Sequence, residues 1–163
     1  AANLPIANYK PTFRTANILH FTFDKQPLNT ESHYLWNWDS CSDIFRVTLY
    51  NNLRVSDQYQ LSAEVLRYKS QPTYTLDQGI DDLKAMGLID SDTKMVSGFV
   101  QKIDNTFPVP THDFCNATQM NYETLTTSFK NIIVSGRFSG RCWLLSDVLV
   151  LAHKELEEYC AVG

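Results

Sequence analysis

An α+β fold is predicted for this chain: an N-terminal antiparallel sheet with helices from the middle and C-terminal parts packed on one face. Three observations predict it. Apolar and polar residues alternate in three segments of the first half, and the period changes to three or four residues after Thr75. The balance of 44% hydrophobic and 20% charged residues is that of a globular protein. With 163 residues, six Gly and six Pro scattered along it, the chain reads as a single domain spanning residues 1–163.

The first strand is expected at residues 18–23, where Leu19, Phe21 and Phe23 alternate with His20 and Thr22. A second follows at 43–50, with Phe45, Val47 and Leu49 set against Arg46 and Thr48, and Asn51-Asn52 suits the turn after it. The third, at 59–68, sets Leu61, Ala63 and Val65 against Gln60, Ser62 and Glu64. Such alternation implies one buried and one wet face, hence antiparallel pairing. Residues 75–86 then place Leu76, Ile80, Leu83 and Met86 on one helical face, with Gly87 ending the helix. Asp92 is the expected cap of a second helix, whose stripe is Met95, Val96, Phe99, Val100 and Ile103.

The last third reads two ways. Residues 119–135 carry Tyr122, Leu125, Phe129, Ile132 and Ile133 at helical spacing, and Leu149, Ala152, Leu156 and Tyr159 share a face of a helix over 146–159. Residues 142–151 fit equally a buried strand feeding a short helix. The alternative fold is then a small β-barrel closed by a C-terminal helix, with room inside for an apolar ligand.

The four cysteines, Cys41, Cys115, Cys142 and Cys160, form no Cys-x-x-Cys pair, and their even number and long spacing suit two disulfides. If 146–159 is one helix, its length is about 21 Å, and about 14 Å of chain cannot return Cys142 to Cys160. Two antiparallel helices would instead bring Cys115 beside Cys160, leaving Cys41 to pair with Cys142. An N-terminal Ala1, the disulfide pattern and the glycosylation triplet Asn116-Ala117-Thr118 together predict a secreted or extracellular protein, or one in another oxidising compartment, whose signal peptide has been removed.

Charge narrows the partners. A net charge of −4 and dispersed basic residues give no attraction to nucleic acid. The most apolar run, residues 143–152, is half the roughly 20 residues that a spanning helix needs, so the chain is not expected to cross a membrane. No phosphate loop, dinucleotide fingerprint, zinc or nucleophile-elbow motif is present, and the reading calls for no cofactor and no metal. Asp90-Ser91-Asp92 starts like a calcium loop, but Lys94 stands at the next ligand position and the bend glycine is missing.

Two segments carry the candidate binding residues. Trp36 and Trp38, flanked by His33, Tyr34 and Asp39, form the densest aromatic cluster and suit stacking on a ligand or partner, set against the plainer and favoured reading of a place in the core or under a loop. Arg137 and Arg141 lie in the Gly-flanked segment 136–141 ahead of a helix N-terminus, where paired guanidinium donors suit an anion. A hydrolytic site can be sketched from His20, Asp24 and a serine, and a thiolate site from Cys115 and His112. The run 153–158 reads as a solvated helix face. The leading expectation is a secreted, non-enzymatic recognition domain that binds a protein partner or small ligand through the aromatic cluster, the arginine loop, or both. Its alternatives are a small secreted hydrolase and a structural subunit of a larger assembly.

Overall fold

The computed structural model describes residues 4, 6–40, 42–53, 58–136, 139–142 and 144–161. They form two compact units: residues 13–108 make a sheet unit, and residues 1–12 with 109–163 make a helical unit.

In the sheet unit, β1 (Arg14–Phe23), β2 (Tyr34–Trp36), β3 (Ile44–Leu49), β4 (Tyr59–Tyr68) and β5 (Met95–Ile103) form one antiparallel sheet in the order β2-β3-β4-β1-β5. The predicted α+β class is therefore observed, and the sheet is open rather than closed into a barrel. Alternation decides its two faces. Leu19, Phe21, Phe23, Val47, Leu49, Leu61, Ala63 and Val65 are all buried on one side. Helix α1 (Leu76–Ala85) covers that side through Leu76, Ile80 and Leu83, which join the same cluster. Each large side chain so buried contributes roughly 1.5–3 kcal/mol.

Local chemistry starts and seats α1. Thr75 accepts from the Gln78 backbone N–H while the Gln78 side chain accepts from the Thr75 N–H, a reciprocal cap worth about 1 kcal/mol. Gly79 lies against β1: a Cβ there would stand 2.6 Å from Leu19 Cδ2 and 2.9 Å from the Phe21 ring. Tyr74 and Ser42 both donate to the Asp82 carboxylate, and Asn17, buried on the covered face, accepts from the Tyr74 N–H at 2.8 Å. Burial, then the hydrogen bond to Asp82, pushes the Tyr74 phenol well above its ordinary pKa of 10.0.

The expected second helix is instead β5. Its residues Val96 and Phe99 are exposed, and the whole of 95–103 runs beside β1, from Ala16↔Ile103 to Phe23↔Met95. Asp92 caps nothing there. It pairs with Lys25, while the Asp24 carboxylate accepts from the Lys94 N–H at 2.9 Å and draws the segment into the sheet. The β-branched Val96 and Val100 and the small Gly98 suit an edge strand, and tertiary pairing overrides the helical spacing.

The helical unit holds α2 (His112–Ser128) and α3 (Leu145–Ala161). Thr111 caps α2 by accepting from the Phe114 N–H. The helix ends before Phe129, and residues 132–134 are not helical, so the reading of 119–135 as one helix is corrected at both ends. Helix α3 matches the expected 146–159 and excludes the strand alternative there. Among the described residues Phe114 and Ala117 are the buried apolar ones of this unit, with Tyr9 tilted against Phe114 at 6.2 Å. Gly140, at φ +75°, passes so close to Thr118 that a Cβ would fall 2.3 Å from its Oγ1. No described helix is long and apolar enough to cross a membrane.

Candidate functional site on the open face of the sheet

The residues that alternate with the core positions point to the other face, which α1 does not cover. Register lines them up across the strands. One row runs Phe99, His20, Ser62, Thr48, Tyr34 over all five strands, and the next runs Gln101, Ile18, Glu64, Arg46, Trp36.

His20 is the centre of the first row. Its Nδ1 lies 2.7 Å from Ser62 Oγ, and Ser62 is 3.1 Å from the Tyr50 hydroxyl. Its Nε2 meets Gln101 Oε1 at 3.3 Å. A consistent assignment has Tyr50 donating to Ser62, Ser62 donating to Nδ1, and the Nε2–H donating to Gln101. The Phe99 ring stacks on the imidazole, with centroids 4.5 Å apart and planes 23° apart. The ring is thus held on both edges and one face. Around it lies a hollow of about 310 Å³, lined by His20, Thr22, Tyr50, Gln60, Ser97 and Phe99 among others.

This arrangement differs from the sketched hydrolytic site. Asp24 is held by the Lys94 backbone, so it does not orient His20, and a neutral amide stands on Nε2 where a triad has a carboxylate. Ser62 is only 3% exposed and donates its hydroxyl within the network, which suits a positioning residue better than a nucleophile.

The second row ends in the aromatic cluster. Arg46 makes a two-pronged ion pair with Glu64, through Nε at 2.5 Å and through Nη2, and donates from Nη1 to Tyr34 at 2.7 Å. Burial opposes its charge, but the Glu64 carboxylate outweighs that and holds the guanidinium above its usual pKa. The guanidinium also faces the rings of Tyr34, Phe45 and Trp36 at 5.4, 5.5 and 5.7 Å. Trp36 and Trp38 stack at 5.9 Å with planes 17° apart, and Trp38 is 89% exposed. Both tryptophans therefore lie at the surface, on the edge strand and the loop beyond it, and not in the core.

The other expected residues are scattered. Arg141 is occupied: it pairs with Glu155 and lies over the Tyr122 ring at 4.4 Å. Arg137 lies outside the described residues, as does Cys41 and with it the expected Cys41–Cys142 bond. Cys115, Cys142 and Cys160 are free, so the expected Cys115–Cys160 bond is not formed. The two helices share a hollow instead of packing along their length. Leu151, Glu155 and Tyr159 of α3 share a hollow with Tyr122 and Thr126, which lie about 10 and 17 Å along α2 from Cys115. Asn116, His112 and Cys115 are exposed on the first turns of α2.

Sequence reasoning placed His20 and Thr22 on a wet face but missed Phe99, Gln101, Tyr50 and the role of Ser62. Reading 95–103 as a strand was the step that would have exposed Phe99 and Gln101 as partners of β1.

An open five-stranded sheet with one face on a helix and the other presenting a polar and aromatic row defines the class of site. No family model matches the chain, and no curated protein matches it. Solved structures do. The chain is similar to reduced UDP-galactopyranose mutase at a TM-score of 0.65 and 19% identity, over 80% of this chain and 29% of that one. It is also similar to a putative protoporphyrinogen oxidase from Exiguobacterium sp., at a TM-score of 0.53 and 16% identity, over 91% of this chain and 36% of that one. These likenesses show a shared fold. The chain spans about a third of the length of each.

Proposed function

We propose that the open face of the sheet binds a small, uncharged, ring-bearing molecule and serves as the substrate-binding layer of an enzyme. The observation that carries this reading is the row Phe99–His20–Ser62, where a fixed imidazole and a stacked phenyl ring border a hollow edged by Tyr50, Gln60 and Thr22. Hydroxyl and amide groups there can donate to and accept from ligand hydroxyls or carbonyls, and Phe99 offers an apolar wall. The ligand is read as uncharged because Arg46, the nearby cation on this face, is neutralised by Glu64. A hollow of about 310 Å³ is at the small end for ligand sites, which fits one ring and not a large conjugate. The similar folds support the enzyme half of the reading, since the two structures are named as a mutase acting on UDP-galactopyranose and an oxidase of protoporphyrinogen. Trp36 and Trp38 extend the same face, so a recognition role for them belongs to this surface, whereas the occupied Arg141 speaks against the arginine loop.

Ligand-observed NMR with galactose and with UDP-galactose as probes tests the reading. Millimolar binding of galactose is expected, with UDP-galactose binding no tighter. Phe99→Ala should weaken it about fivefold to tenfold through the lost stacking surface, and His20→Ala by at least as much. Ser62→Ala, acting only through the imidazole, should cost less. Absence of galactose binding, tighter binding of UDP-galactose, or binding indifferent to His20→Ala and Phe99→Ala overturns the proposal.

A further inference from the structure

The open face of the sheet does not end at the hollow. Along β2 and the turn after it, Tyr34, Trp36 and Trp38 stand two residues apart and form an aromatic ledge at the far edge of the sheet. Tyr34 meets Trp36 edge-on at 5.8 Å, and Trp38 lies nearly parallel to Trp36. One face of the Trp38 indole thus rests on its neighbour while the other meets solvent. The turn that presents it is braced. Asn37 donates from Nδ2 to the Ile44 carbonyl at 2.9 Å, and its Oδ1 accepts from the Asp39 N–H at 2.9 Å. A bare indole held in place offers large stacking area at little ordering cost.

A polar floor joins ledge and hollow. From His20 on β1, strands β4 and β3 intervene before β2, so Trp36 lies three strand spacings across and one row along, about 16 Å away. Ser62, Thr48 and the Arg46–Glu64 pair lie on that path. The pair is neutral as a whole yet keeps hydrogen-bonding capacity: of the five guanidinium N–H groups, Glu64 and Tyr34 take three. The Tyr34 hydroxyl accepts from Arg46 and has its own proton left to donate.

We infer that this face takes a linear, neutral oligosaccharide, with one ring seated in the hollow beside His20 and Phe99 and another, about three units along, stacked on the Trp36–Trp38 ledge. Resting on the reading of the hollow as a site for one uncharged ring, this assignment makes that ring the end unit of a chain. A pyranose supplies both things the face asks for: a C–H face for indole and phenyl, and a rim of hydroxyls that donate and accept. A hydrocarbon chain would strip water from Arg46, Glu64, Ser62 and Thr48 and return no hydrogen bonds. A charged polymer would meet a guanidinium already neutralised by Glu64. An extended peptide adds to the edge of a sheet and not to its face. Linear β-1,4-linked rings advance by roughly one strand spacing each, so about 16 Å corresponds to three steps, the length of a tetrasaccharide.

Ligand-observed NMR on the full chain, with galactose and with linear β-1,4-linked galactotetraose, tests the inference. The tetrasaccharide should bind at least tenfold more tightly than galactose. Trp38→Ala should remove most of that gain and leave galactose binding unchanged, which also shows that the variant is folded. Trp38→Phe should restore much of the gain, and Phe99→Ala should weaken both ligands. A tetrasaccharide that binds no more tightly than galactose, or a gain that survives Trp38→Ala, overturns the inference and leaves the hollow reading standing. Failure of galactose to bind the wild-type chain removes the hollow reading, and the oligosaccharide with it.

Discussion

The sheet unit and the helical unit solve the burial problem differently. In the first, strands of period two and one amphipathic helix enclose Leu19, Ile44, Val47, Leu61, Val65 and Leu83 almost completely. In the second, two helices of 17 residues each enclose little beyond Phe114 and Ala117, and the long leucines of α3 face outward. The first unit can afford an open polar face because its other face is complete. The second leaves Leu145, Leu149, Val150 and Leu156 exposed. A filled core fixes His20 and Phe99 on a rigid support, which the sparsely buried helical unit does not offer to its own side chains.

Substitutions sharpen that contrast. The largest effect belongs to the sheet core: Leu19→Ala, at a fully buried position, should lower unfolding free energy by about 3 kcal/mol, read from urea midpoints. Gly79→Val should follow at about 2 kcal/mol, since its Cβ would enter the space of Leu19 and Phe21 and even alanine's better helix propensity offsets only part of such a clash. Phe114→Ala should melt the helical unit at lower denaturant and leave the sheet transition in place, so a single shared shift would break the distinction between the units.

A smaller effect concerns pH. Tyr74 holds its proton more tightly folded than unfolded, so its stabilising contribution is complete below pH 10 and is lost as pH rises through the raised folded value. Urea midpoints of the sheet unit should therefore be flat at neutral pH and fall above pH 10, and Tyr74→Phe should flatten that decline. Smallest of all, Lys154→Ala on the solvated face of α3 should change stability by less than about 0.5 kcal/mol.

Much of the sheet was legible in the sequence because burial on one side writes itself as alternation: β3 and β4 fall where it places them, and β1 is only longer at its start. Helix α1 was legible through its stripe and through Gly87, which follows its end at φ +68°, whereas its Thr75 cap was not read from the sequence. Strand β5 was not, because Met95, Val96, Phe99, Val100 and Ile103 satisfy helical spacing, and only pairing with β1 decides otherwise. The site shared that blindness. His20 and Ser62 are 42 residues apart and meet through a register that no local pattern encodes. Exposure of Trp36 and Trp38 was likewise undecidable, since an aromatic pair on a short strand suits a core as well as an edge. The Cys115–Cys160 pairing was out of reach for a similar reason: it assumed helices lying side by side along their length, whereas α3 shares only a hollow with Tyr122 and Thr126 of α2.

Residue-resolved amide NMR during a galactose and UDP-galactose titration tests the central claim most directly. Shifts concentrated at His20, Thr22, Ser62, Phe99 and Gln101, with the α1 side of the sheet silent, are the predicted result. Shifts confined to α1, α2 or α3, or none at tens of millimolar probe, would contradict the assignment of the open face as the binding surface.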